Sequence, residues 1–152
     1  MPDAALPNYP FQHWWVAASS RELGVGQLLA RRVLGHDVVL YRGTDGVPVA
    51  LDDRCVHRGL PLSRGWLEDG HLVCGYHGFR YAEHGACVRV PTQAQIPAKA
   101  AVRAFPVVEK PPFIWIWTGD PAQAEALRVP VYPWLNDAGW VHALGHLRIA
   151  CN

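Results

Sequence analysis

Four potential metal ligands, arranged as two short hooks, constrain this chain more than any other feature. Cys55-Val56-His57 is followed by sixteen residues and then by Cys74-Gly75-Tyr76-His77, the pattern C-x-H-x16-C-x2-H. Each hook offers one thiolate and one imidazole. A fold that uses them must bring two loops side by side, so that donors far apart in sequence meet at one centre.

Two kinds of centre take two Cys and two His. A structural zinc site usually pairs like with like, as C-x2-C followed by H-x3-5-H, commonly with a shorter spacer. A 2Fe-2S cluster of the Rieske type instead binds one iron through two Cys and the other through two His. Hooks that each mix one Cys with one His suit the cluster, because each loop then gives one ligand to each iron. Neutral imidazoles lower the negative charge at the reducible iron and raise the potential into a range of roughly −150 to +300 mV. Gly59 and Gly78 follow the histidines closely, where a missing side chain lets backbone N–H groups approach bridging sulfides. The residues thus speak of electron transfer before they speak of a substrate.

With His57-Arg58-Gly59 and Tyr76-His77-Gly78 in view, the chain resembles the N-terminal Rieske domain of Rieske non-haem iron oxygenase alpha subunits. Its flavour is that of the vanillate O-demethylase, phthalate-type and toluenesulfonate-type branch. The likeness begins near Trp14-Trp15-Val16-Ala17 and passes through Leu40-Tyr41-Arg42 and Leu51-Asp52-Asp53-Arg54. It continues through Pro61-Leu62-Ser63, Gly65, Gly85-Ala86-Cys87 and Val90-Pro91, and ends in Trp115-Ile116-Trp117-Thr118-Gly119-Asp120-Pro121. The resemblance implies that Cys55, His57, Cys74 and His77 hold the 2Fe-2S cluster, with Arg58, Gly59, Tyr76, Gly78, Phe79 and Trp66 around it. Respiratory Rieske proteins carry an extra Cys in each hook and a Ser beside a sulfide. Leu60, Tyr76 and Phe79 stand at those positions, so no disulfide joins the loops and one hydrogen bond to sulfur is lost. Both departures favour the lower part of the potential range. Oxygenases more often have Trp where this chain has Phe79, which keeps the apolar shield but gives up the indole N–H.

In the family a catalytic domain follows, with a mononuclear Fe(II) on two His and one carboxylate. This chain stops at Asn152, and the sequence reads as a truncated polypeptide or excised domain. The implied division is an arm over 1–12, a Rieske domain over 13–121, and a linker plus first catalytic-domain strand over 122–152. His142 and His146 form the other close His pair, with Asp137 as the nearby carboxylate. A glycine lies between them and strand-like residues surround them, so they read as surface or interface histidines rather than as the second iron site.

The length suits one domain with its own core. Half the residues are hydrophobic and the net charge is +1, which gives no field for nucleic acid or an anionic membrane. No run of about 18 apolar residues and no charged-then-apolar leader is found, so a cytoplasmic location is expected. Cys87 reads as a small buried residue, and with Cys151 it forms no disulfide framework.

Apolar alternation and turn residues predict an all-β fold, an antiparallel sandwich or barrel with short helical pieces and the two hook loops together at one tip. Strands are expected at His13 to Ala18, Leu28 to Leu34, Asp37 to Arg42, Val47 to Leu51, His71 to Val73, Phe79 to Ala82, Ala86 to Val90, Val102 to Val108, Phe113 to Trp117 and Trp140 to Ala150. Ser20 is expected to cap a helical turn through Leu23, and Pro121 to open a short helix through Leu127. Trp115 and Trp117 alternate with Ile114 and Ile116, so both faces of that strand look apolar, one for the core and one for a subunit contact.

The family likeness implies an electron relay fed by an NAD(P)H-dependent reductase, head-to-tail homotrimers, and a hydroxylation or O-demethylation of an aromatic substrate carried out beyond Asn152. The 152 residues alone would not be catalytic. The rival is a stand-alone Rieske-type ferredoxin, against which stand the Trp14-Trp15 opening and the long tail after Asp120.

Overall fold

Residues 10–145 are described by a computed structural model. Their strands are β1 (Trp14–Ser19), β2 (Leu29–Val33), β3 (His36–Arg42), β4 (Pro48–Asp52), β5 (Trp66–Glu68), β6 (His71–Val73), β7 (Arg80–Tyr81), β8 (Cys87–Arg89), β9 (Ala104–Phe105), β10 (Val107–Lys110) and β11 (Phe113–Trp117). They form three sheets, ordered β1-β11-β10, β2-β3-β4-β9 and β5-β6-β7-β8. Every pairing is antiparallel. The all-β expectation is met, and the only helical pieces among the described residues are short 3-10 turns.

The middle sheet divides two cores. Side chains alternate across a strand, and β3 is apolar on both faces. Val39 and Tyr41 join Leu51, Cys55, Leu62, Leu72, Cys74 and Tyr81 on one side. Val38 and Leu40 join Ala50, Ile114 and Ile116 on the other. The strand is therefore sandwiched, and the hook-bearing layer and the β1-β11-β10 layer lean on opposite faces of it. Two-residue hairpins set the register where sequence allows positive φ. Leu34-Gly35 closes β2–β3 and Asp69-Gly70 closes β5–β6, all four at φ between 47° and 84°.

An ion pair ties the far layer to the middle one. The guanidinium of Arg42 on β3 meets Glu109 on β10 through two hydrogen bonds of 2.9 Å. Its remaining donors reach the carbonyls of Leu23, Gly46 and Ser20. A bidentate, largely shielded pair of this kind is strong as long as both partners stay, and removing one strands the other at a cost of about 3–5 kcal/mol.

Several expectations need correction. Ser20 caps no helix. Ser19 to Glu22 is a turn, closed by Glu22 N donating to Ser19 O and by Ser19 N donating to the Glu22 carboxylate. The stretch Val102 to Val108 is not one strand, because Pro106 lacks an N–H and splits it. β9 pairs with β4 in the middle sheet and β10 with β11 in the other. The helix expected from Pro121 is a 3-10 turn ending at Ala126, capped by Asp120 accepting from Ala122 N. β5 was not expected at all. Residues 140–145 form no strand, and the rest of the segment Trp140 to Ala150 lies outside the described residues, as do His146 and Cys151.

The outer face of β11 is covered within the chain. Trp117 is fully buried, its indole edge against Trp14 and its Nε1 bonded to Asp120 O. Trp115 stacks on Tyr132, and Trp14 Nε1 donates to Leu127 O. The segment after Asp120 thus supplies the cover that the alternating Trp/Ile strand demands. Ala124 and Val129 are buried in it.

Candidate metal centre

The two hooks are built on one backbone template. In the first, Cys55 N donates to Leu60 O and Gly59 N to Cys55 O. In the second, Cys74 N donates to Phe79 O and Gly78 N to Cys74 O. Each Cys is thus bonded to the residues four and five positions on, and each closing glycine sits at φ +69°. An L side chain is strained in that region, which is why glycine stands at both places. The hooks differ in the imidazole, two residues after Cys55 but three after Cys74.

The loops bring like donors together. Cys55 and Cys74 are buried, 3% and 1% exposed, and their side chains interact. His57 and His77 are exposed, with ring centroids 4.7 Å apart. Burial first, then the neighbouring Cys55, holds the Cys74 thiol above its ordinary range, while the backbone N–H groups of Tyr76 and His77 pull the other way by donating toward its sulfur. His77 is held below an ordinary imidazole, chiefly by lost hydration and then by His57 and Arg58. Arg58 is exposed and lines an open groove with His57.

A zinc ion needs its four donors around one point. An inner pair of thiols and an outer pair of imidazoles instead match the ligand demand of a two-iron cluster. The donor set fits that group.

The aromatic residues come from the second hook. Phe79 stacks on His57 with centroids 4.9 Å apart and 10° between planes. Tyr76 lies against His77 at 3.7 Å. The loops touch through glycine. A Cβ on Gly75 would lie 2.7 Å from Arg64 O, and one on Gly65 would lie 1.9 Å from Val73 O. Asp53 ties down the exit of the first hook, accepting from both Ser63 N and Ser63 Oγ at 2.6 Å.

The Rieske [2Fe-2S] domain pattern matches residues 13–108. The chain belongs to the Rieske [2Fe-2S] domain family. Its cofactor is therefore the 2Fe-2S cluster that the sequence led us to expect. The Rieske chain is 40% identical over 139 residues to the iron-sulfur subunit of the toluene-4-sulfonate monooxygenase system of Comamonas testosteroni, covering 91% of this chain and 40% of the relative. It is 43% identical over 140 residues to the oxygenase component of dicamba O-demethylase from Stenotrophomonas maltophilia, covering 91% and 41%. A crystal structure of dicamba monooxygenase bound to dicamba superposes with a TM-score of 0.80 at 44% identity, over 86% of this chain and 39% of that one. The relatives are thus Rieske oxygenase components, as the resemblance implied, and the Rieske chain spans about two fifths of their length.

One residue of the Rieske site escaped the sequence reading. Tyr81 on β7 is fully buried, with its hydroxyl 3.1 Å from Cys55 Sγ. Val56 N donates to the same oxygen at 3.3 Å, and a Cys55 thiolate, which can only accept, would take the hydroxyl hydrogen. Burial and Cys55 both push the phenol far above its ordinary range, so it stays a neutral donor. The signal was present as a Tyr two residues after Phe79, on the face that alternation turns inward. Trp66, expected near the centre, lies on β5 opposite Val73, half exposed, with Nε1 bonded to Glu68. Cys87 is a free, buried thiol on β8 directly across from Tyr81. His142 and Asp137 are exposed, and Asp137 accepts from Gly139 N.

Proposed function

We propose that this chain is the electron-relay domain of an oxygenase acting on aromatic compounds. Cys55 and Cys74 would hold the inner iron and His57 and His77 the outer one, and the bound cluster would supply storage for a single electron. Tyr81 donates to the Cys55 sulfur, Phe79 fixes the plane of His57, and the buried thiols keep water from the inner side. The exposed imidazole edges are the short route to solvent and hence to redox partners. The observation that carries the reading is the sorting of donors by burial, thiols in and imidazoles out.

An NAD(P)H-dependent reductase would supply the electrons. A mononuclear Fe(II) site in the part of the oxygenase that the relatives have and this chain does not span would receive them. Hydroxylation or O-demethylation would occur there, in a homotrimer within the cytoplasm. Residues 13–121 form the relay domain in this reading, with 1–12 an arm and 122–152 the path toward the catalytic part. The relatives named as oxygenase components favour it over a stand-alone ferredoxin.

Anaerobic purification followed by dithionite reduction and low-temperature EPR tests the reading. A rhombic mixed-ligand signal is expected, lost in Cys55→Ala and His77→Ala. Zinc in place of iron, with no such signal, would sink it.

A further inference from the structure

The two hooks are held at their bases by different means. The second is the loop of a hairpin, because β6 ends at Val73, β7 opens at Arg80, and these two residues pair. The ladder itself keeps the ends of that loop together. The first hook leaves β4 at Asp52 and enters a 3-10 turn at Leu62. The partners of β4 are β3 and β9, so among the described residues no strand pairs across the base of this loop. A loop without a paired base keeps the freedom of an open chain unless side chains close it.

One carboxylate closes it. The 3-10 turn begins after Pro61, whose side chain makes no cap, so the opening N–H groups of the turn need a partner from elsewhere. Asp53 reaches across the base of the loop to supply one. Its Oδ1 accepts from Ser63 N and its Oδ2 from Ser63 Oγ, both at 2.6 Å. Short bonds to a charged acceptor are among the stronger ones. Asp53 is itself fixed to the middle sheet, since its N–H donates to Asp37 O at 2.9 Å and Asp52 N donates to Arg103 O at 2.8 Å. The turn that Asp53 anchors is also where the hooks cross. Leu62 is fully buried in the core that holds both thiols, and Arg64 and Gly65 meet Gly75 and Val73 so closely that no Cβ fits on either glycine. A shift at Ser63 is therefore passed to the residues on both sides of Cys74.

Resting on the electron-relay reading above, we infer that Asp53 is a positioning residue for the cluster, its carboxylate standing in for the strand pairing that the first hook lacks and setting where Cys55 stands relative to Cys74. It acts through Ser63 and the turn that follows. Outer partners that orient ligands in this way are worth about ten- to a hundredfold in metal affinity. The carboxylate has two separable effects, the geometry of the clamp and the negative charge it brings near the cluster.

The test compares Asp53→Ala, Asp53→Asn and Glu109→Gln in the cluster-loaded chain, by iron release to a ferrous chelator after reduction, EPR line shape and reduction potential. Asn keeps the clamp, because its Oδ1 accepts from Ser63 N and its Nδ2 donates to Ser63 Oγ, and it removes only the charge. Asp53→Ala should release iron about tenfold faster or more and broaden the EPR signal. Asp53→Asn should keep the wild-type release rate and line shape while its potential rises. Glu109→Gln weakens the Arg42 pair in the far layer and should lower thermal stability without moving iron release or line shape, which is the response of a purely structural defect. Full iron retention with the wild-type line shape in Asp53→Ala overturns the clamp. So does an equal iron loss in Asp53→Asn, which would leave only the charge. Should Asp53→Ala fail to fold, Ser63→Ala removes one of the two bonds and should show a smaller loss of the same kind, with Ser63→Thr matching wild type; no loss in Ser63→Ala overturns the clamp. A wild-type chain with no rhombic signal overturns the relay reading instead. Hydrogen exchange at Gly59 and Gly65 then decides the clamp, faster exchange in Asp53→Ala than in Asp53→Asn supporting it and equal exchange overturning it.

Discussion

The two hooks share a backbone and differ in nearly everything hung on it. Each closes its Cys with the same two hydrogen bonds and the same left-handed glycine. Yet the first sends its chain on through a 3-10 turn fixed by Asp53 and Ser63, while the second runs directly into β7. The aromatic contacts to both imidazoles come from the second hook, through Phe79 and Tyr76, and the phenol reaching the first hook's sulfur, Tyr81, follows it on β7. The second hook and its strand therefore support the first. A duplicated backbone gives two ligand positions of like geometry, and the unequal side chains give the site its electronic asymmetry.

The largest effect expected is at the crossing between the hooks. In Gly65→Ala the new methyl would lie 1.9 Å from Val73 O, a backbone atom that cannot turn aside. Moving β6 away also moves Cys74, so the variant should lose about 3 kcal/mol of stability and most of its iron, read by denaturation and by iron content per chain. Retention of full iron with wild-type stability would show that the crossing yields more easily than the geometry implies.

Next come the closing glycines, which test the pairing directly. Gly59→Ala and Gly78→Ala both carry a side chain in the left-handed region, at about 1 kcal/mol each. Their neighbours differ. The Gly59 methyl meets the movable Arg54 guanidinium, and the Gly78 methyl meets the Pro91 ring, both at 3.2 Å. Gly78→Ala should therefore be the less stable of the two in thermal unfolding. Equal losses would mean that backbone strain alone sets the cost.

How much of this could be read from residues alone follows from where the information sits. The ligand set was legible because Cys and His at that spacing have few other uses, and β3, β4 and β11 because their apolar residues must alternate or fill both faces. β5 was not, since Trp66–Glu68 is too short to show a period and owes its existence to pairing with β6. The single strand expected over Val102 to Val108 ignored what Pro106 does to a ladder. Tyr81 looked like any strand tyrosine, because its role depends on Cys55, twenty-six residues away. The cover over Trp115 came from residues 120–135, a stretch of weak periodicity whose order depends on the tryptophans beneath it.

Tyr81→Phe addresses the electronic half of the comparison. It removes one O–H donor from the first hook's sulfur and leaves the second hook alone. A hydrogen bond to a charged acceptor is worth about 1.5–3 kcal/mol in all, and the part that differs between oxidation states sets the shift. The potential should fall by about 50 mV, since about 59 mV corresponds to a factor of ten for one electron, with little change in iron content. The orphaned Val56 N–H should cost a further small loss of stability.

The smallest effect is expected at Phe79. Its ring makes a near-parallel stack on His57, a contact worth about 0.5–1.5 kcal/mol beyond area burial. Phe79→Leu keeps an apolar cover but removes the plane that aligns the imidazole, and Phe79 O continues to accept from Cys74 N because that bond is to the backbone. The iron should stay, and the potential should move less than in Tyr81→Phe, while the rhombicity of the EPR signal changes as His57 gains freedom. Phe79→Trp restores the plane and should return the line shape toward wild type. If Phe79→Leu instead shifts the potential more than Tyr81→Phe, shielding of the outer pair outweighs the hydrogen bond to the inner pair, and the asymmetry between the hooks is one of solvent access before it is one of hydrogen bonding.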